Sequence, residues 1–174
     1  MTRIPRHRFA AAALVLLLLA GCGAGPDTRP AHPALAPEAM VAAIRAAAGD
    51  ADGELAVQPL RDTRVEDLRA EAARLEAAGD VAGAARALDQ ALEVVGNDPA
   101  LLQERAELAV LQQDFALAGQ LAERAYALGA QVGPLCRRHW TTLEQLRLRD
   151  GDDAGAASAR AQVEACRVTG PERY

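Results

Sequence analysis

Lysine does not occur in this chain of 174 residues, and aromatic side chains are limited to two Phe, two Tyr and one Trp. Without an ε-ammonium there is no Schiff-base nucleophile and no phosphate-gripping lysine. Serine is nearly as scarce. Ser158 stands alone, with neither a Gly-x-Ser-x-Gly elbow nor a Gly-rich phosphate loop around it. Histidine is confined to His7, His32 and His139, which are far apart in sequence. The acids Asp150, Asp152 and Asp153 lack the spacing of a calcium loop and read as a turn and helix cap. These gaps leave no catalytic constellation, no metal site and no cofactor site, so the chain reads as non-enzymatic. The shortage of aromatic and β-branched residues beside abundant Ala argues against a β-sandwich and for an all-α chain. Cationic side chains are the minority, 19 against 24 acids. An acidic surface repels phosphate backbones, which excludes nucleic acid as a partner.

What is present begins at the N-terminus. Arg3, Arg6 and Arg8 precede an unbroken apolar run from Phe9 to Ala20. Its 12 residues are too few to span a bilayer as a helix, which takes roughly 20. The run reads instead as the core of a signal peptide covering residues 1–21. It ends in Leu19-Ala20-Gly21-Cys22, which resembles the lipobox of bacterial lipoproteins. That resemblance implies cleavage before Cys22, diacylation of its thiol with palmitate-type chains, and acylation of the new amino terminus. Two or three chains anchor firmly, each buried CH₂ contributing about 0.8 kcal/mol. The other reading is an ordinary secreted protein in which Cys22 is incidental. Gly23 and Ala24 stand where an inner-membrane retention Asp is familiar. The resemblance thus implies the outer membrane, facing the periplasm. Processing removes three Arg and no acid, leaving a net charge of −8.

Residues 22–37 carry Pro26, Pro30, Pro33 and Pro37 and read as an extended tether. Residues 38–62 hold a short Ala-rich helix, Glu38 to Ala48, stopped at Gly49, and a linker in which Pro59 opposes helix. From Thr63 to residue 167 the pattern is regular, and 168–174 form a tail. Thr63 and Glu66 have capping-box spacing, and Leu68, Ala72 and Leu75 share one helical face. Asp80, Asp98 and Asp114 stand at the starts of the next three helices, with Pro99 at a first helical position.

These helices repeat. Leu68, Ala72, Asp80, Ala84 and Ala91 recur 34 residues later as Leu102, Ala106, Asp114, Ala118 and Ala125. A 34-residue period of helix–turn–helix units resembles the tetratricopeptide repeat. A third unit fits after a four-residue insertion around Gly129 to Pro134, with Trp140 and Leu143 as its opening and Gly151-Asp152 as its turn. Glu144 and Arg147 depart from the small and aromatic residues of the repeat, as suits a terminal unit. In this family the first helix of each hairpin lines a concave groove that binds proteins. By resemblance the groove positions are Arg69 and Glu76, Gln103 and Glu107, then Thr141, Gln145 and Arg149. The basic clamp that some members close on a C-terminal carboxylate is not reproduced, since Ala73 and Glu107 occupy its positions.

Cys136 and Cys166 each lie 15 residues from Gly151, so an antiparallel hairpin brings them to the same end. In an oxidising compartment that favours a disulfide. A metal set of Cys136, His139 and Cys166, or two separate buried thiols, are the other readings. The sum is a lipid-anchored interaction module, a scaffold or regulator of an envelope complex. The alternative is an envelope enzyme or accessory subunit with a site not recognisable in sequence. Short Gram-negative lipoproteins with two or three such repeats are similar in the Ala125 to Leu128 helix end and in Arg138-His139-Trp140-x-x-Leu143. Some of that group activate bifunctional penicillin-binding proteins. The resemblance therefore implies an envelope protein as partner, with a penicillin-binding protein as the specific expectation.

Overall fold

The computed structural model describes residues 35–49 and 62–167. The expected signal peptide, Cys22, most of the tether, the linker after Gly49 and the C-terminal tail lie outside the described residues. Seven helices are described: α1 (Pro37–Ala46), α2 (Thr63–Ala77), α3 (Val81–Val95), α4 (Pro99–Leu111), α5 (Phe115–Leu128), α6 (Gly133–Arg149) and α7 (Asp153–Ala165). No strand occurs among the described residues. Helices α2–α3, α4–α5 and α6–α7 form three antiparallel hairpins stacked in sequence order, a tetratricopeptide-like all-α fold.

One turn is used three times. Gly79, Gln113 and Gly151 take φ of 83°, 60° and 71°, and each is followed by an Asp that caps the next helix. Asp80, Asp114 and Asp152 accept from Gly83, Leu117 and Gly155 amides at 2.7, 3.1 and 2.9 Å. The backbone amides of the same three Asp close the preceding helices on Leu75, Ala109 and Arg147 carbonyls, each at 2.9 Å. The first interval is 34 residues and the second is longer by the insertion before α6. Gln113 holds a left-handed conformation that costs a non-glycine residue about 1–2 kcal/mol. The cap of α2 differs from the expectation. Asp62, not Thr63, accepts the helix amide, that of Arg64, at 2.8 Å, and Thr63 is already inside the helix.

Small residues set the hairpin crossings. Ala84, Ala91, Ala106, Ala118 and Ala125 have no exposed surface, and Ala72 almost none. Around the first hairpin Val65 and Leu88 pack with Leu101 and Leu108 of α4. In the third, where the repeat departs from its family pattern, polar pairs join the buried Ala156 and Ala159. Glu144 accepts from Arg160 of α7 at 2.8 Å, and Arg147 donates to the Gly155 carbonyl at 2.8 Å. The far end of that hairpin is closed covalently. Cys136 and Cys166 form a disulfide with Cα atoms 5.8 Å apart, and the Gly133 amide donates to the Cys166 carbonyl at 2.7 Å.

Helix α1 is not part of any hairpin. It packs against α4 and α6, the first helices of the second and third units. Its apolar side, Met40, Val41 and Ile44, is buried against Ala109, Val110 and Leu146. Burial of side chains of this size contributes roughly 1.5–3 kcal/mol each, which explains why so short a helix holds its place.

Candidate partner-binding groove

Helix α1 lies along α4 and α6, the helices from which the repeats lead one to expect a groove. The consequences show in the seven positions assigned from the family. Gln103 and Glu107 have no exposed surface and Thr141 almost none, Arg69, Glu76 and Gln145 are half-buried, and Arg149 is exposed. Of the expected contact residues Gln103 and Glu107 are buried in the fold as described. Gln103 is held among Glu107, Thr142 and His139, and Glu107 also meets Arg45 of α1.

Burying Glu107 demands compensation, and two guanidiniums supply it. Arg45 of α1 donates from Nε at 2.9 Å to one carboxylate oxygen. Arg138 of α6 donates to the other at 3.0 and 2.5 Å. Gln103, one helical turn earlier, donates its amide to Glu107 at 2.9 Å and to the Thr142 hydroxyl at 2.9 Å. The remaining Gln103 oxygen faces His139 Nδ1 at 2.7 Å. Because that oxygen can only accept, the imidazole carries its proton on Nδ1, and Nε2 is buried without a partner. Burial, with Arg138 as the lesser cause, pushes the His139 pKa down to about 4, so the ring is neutral near pH 7.

Arg45 also reaches Glu76 of α2, at 2.9 Å, and so ties α1 to both walls of the groove. Its burial works to lower its pKa. The hydrogen bonds and charges of Glu76 and Glu107 overcome that, and the guanidinium is held above its ordinary value. Arg137 fixes the other end of the contact, donating to the Ala47 carbonyl at 2.9 Å and also to Ala48, which satisfies carbonyls left open where α1 stops.

Between α1 and α2 the groove stays open. A cleft of about 460 Å³ is lined by Glu66, Arg69, Ala70, Ala73 and Glu76 on α2, with Glu104 and Glu107 on its floor. Arg69 donates to Glu104 at 2.9 Å, and the hydrogen bond to that carboxylate is the main reason its pKa is raised. Of the seven expected positions the cleft brings Arg69, Glu76 and Glu107 together, with Gln103 behind Glu107. Thr141, Gln145 and Arg149 do not line it. Arg149 instead lies over the Phe115 ring, 3.9 Å from its centroid. Sequence reasoning missed Arg45, Arg137, Arg138 and Glu104. For Arg45 a signal existed, because it follows Met40, Val41 and Ile44 at helical spacing and the apolar face so formed needed a place to bury.

The described residues contain no group of three His, Cys, Asp or Glu able to hold a metal ion. No described helix is long and apolar enough to cross a membrane. Of the three readings of Cys136 and Cys166, the structure has the disulfide. Comparison with solved structures gives a match to the globular C-terminal domain of P. aeruginosa LpoP, at 32% identity and a TM-score of 0.55. The match covers 60% of this chain and 99% of that domain. The chain belongs to the family of that domain. No protein-family model and no curated protein matches it. Likeness to the LpoP domain agrees with the helical-repeat architecture.

Proposed function

We propose that this chain is an outer-membrane lipoprotein whose repeat domain docks an envelope protein and regulates it, the partner being a bifunctional peptidoglycan synthase. The observation that carries this reading is the likeness to the LpoP C-terminal domain over nearly its whole length. It joins the lipobox ending in Cys22 and the repeat motif around Trp140, which pointed to the same class of lipoprotein. The tether of about 15 residues extends at most about 45 Å, so a synthase held in the inner membrane has to project outward to meet the domain. Docking uses the accessible part of the groove, Arg69, Glu76 and Gln145, while Gln103 and Glu107 support it from beneath. The test is reconstitution. The lipid-free protein, residues 23–174, should raise glycan polymerisation or crosslinking by the bifunctional synthases of the same organism. No binding and no stimulation with any of them would refute the synthase as partner and leave a scaffold for another envelope protein.

A further inference from the structure

The groove beside α1 has a second opening. Below the Arg45–Glu76 bridge lies a space of about 620 Å³, lined by Val41 and Ala42 of α1, Val81 at the start of α3, Leu111 at the end of α4, and the carboxylates of Glu38 and Glu76. The bridge, 2.9 Å long, separates this lobe from the charged cleft above it. Both the size and the mixture of an apolar lining with a few charged groups are those of a site that takes one or two side chains. Its floor is apolar and its rim is acidic. Among the described residues the one cation on the rim, Arg45, is already bound to both Glu76 and Glu107, whereas Glu38 projects from an exposed position in the first turn of α1. The surrounding protein carries a net charge of −8 once residues 1–21 are removed, which strengthens the field at the rim.

From this we infer that the lobe between α1 and the α2–α3 turn is the anchor point for a protein partner, taking an aliphatic side chain flanked by a basic residue. The aliphatic group enters between Val41, Val81 and Leu111. The basic group meets Glu38 and Glu76. Helix α1 is then a working wall of the site and not a plug to be expelled, because Val41, Ala42 and Glu38 all belong to it. The repeats alone do not make this site.

The inference rests on the proposed docking function for the identity of its partner, and two experiments separate the two. In the first, a short peptide with two leucines between arginines is added to the isotope-labelled lipid-free protein, and a peptide with glutamates in place of arginines serves as control. The amides of Glu38–Ala42, Val81 and Leu111 should shift with the basic peptide and not with the acidic one. Shifts elsewhere, or equal shifts with both, overturn the inference whatever the synthases do. In the second, Ala42→Trp fills the lobe from an exposed position and Glu38→Arg reverses its rim, with Glu93→Arg on α3 as the control. Affinity for a synthase that binds the unmodified protein should fall about tenfold or more for the first two and stay level for the third. Binding unchanged in the first two overturns the lobe while leaving the synthase as partner. A positive peptide experiment with no synthase binding supports the lobe and refutes the synthase.

Discussion

His139 has no exposed surface, and its pKa of about 4 in the fold stands against an ordinary 6.5. The unfolded chain therefore takes up a proton across a pH range in which the folded protein does not. Stability from this group is complete above about pH 6.5 and falls as the pH drops toward 4, by about 3 kcal/mol in all. His139→Gln keeps an N–H for the Gln103 oxygen and removes the titration. Urea unfolding at pH 7 and pH 4.5 should show the unmodified protein losing more stability than the variant, and equal losses would assign the acid sensitivity to other groups. Glu107 poses the opposite problem, a buried charge that is always needed. Glu107→Ala leaves the Arg45 and Arg138 guanidiniums without their shared carboxylate and should cost about 3–5 kcal/mol. A midpoint within 1 kcal/mol of the parent, on the order of a surface substitution, would show that the network contributes little. Both residues were visible in the sequence and neither role was. A histidine beside Trp140 and a glutamate at a groove position acquire these functions from side chains 31 to 62 residues away.

At the scale of elements, the helices follow local rules and their partners do not. Asp at three hairpin turns, Pro99 at a first position and alanines at 34-residue spacing determined where α3, α4, α5 and α7 begin and which faces turn inward. Ala84→Leu and Ala118→Leu overpack crossings that have no free space and should each destabilise by about 1–3 kcal/mol; unshifted melting curves for both would argue against close hairpin packing. The third hairpin buries Ala156 and Ala159 in the same way and is also closed by its disulfide. With a sequence separation of 30 between Cys136 and Cys166, loss of the link in a double Ser variant should cost about 3–4 kcal/mol in the chain-entropy account. Denaturant midpoints of the variant and the oxidised parent measure it directly. Helix α1 depends on others in a different way, through Arg137 at its last carbonyls. Arg137→Ala should raise hydrogen exchange in Pro37–Ala46 while α2 to α5 stay protected, since their hydrogen bonds are internal to the hairpins. Uniform protection would place the hold on α1 elsewhere, in Met40 and Ile44.

For the whole molecule, one chain joins a terminus that resembles a lipid-attachment signal to a helical-repeat domain. Cys22→Ser should release the protein from the membrane fraction or stall its processing, and unchanged lipid labelling would overturn the lipobox reading. Composition, capping residues and the 34-residue period were enough by themselves to specify an all-helical stack, because helix starts and close crossings depend on residues a few positions apart. They also aligned the two cysteines, since equal distances from one turn bring two residues level across a hairpin. Only the tertiary structure decided what lies in the groove. The repeat pattern describes a concave surface as if it were empty, whereas here an outside helix buries Met40, Val41 and Ile44 against it and brings Arg45 onto the buried Glu107. That outcome turns on the match between an apolar face and a surface distant in sequence, with Arg45 placed to neutralise Glu107, and no spacing along the chain encodes such a match.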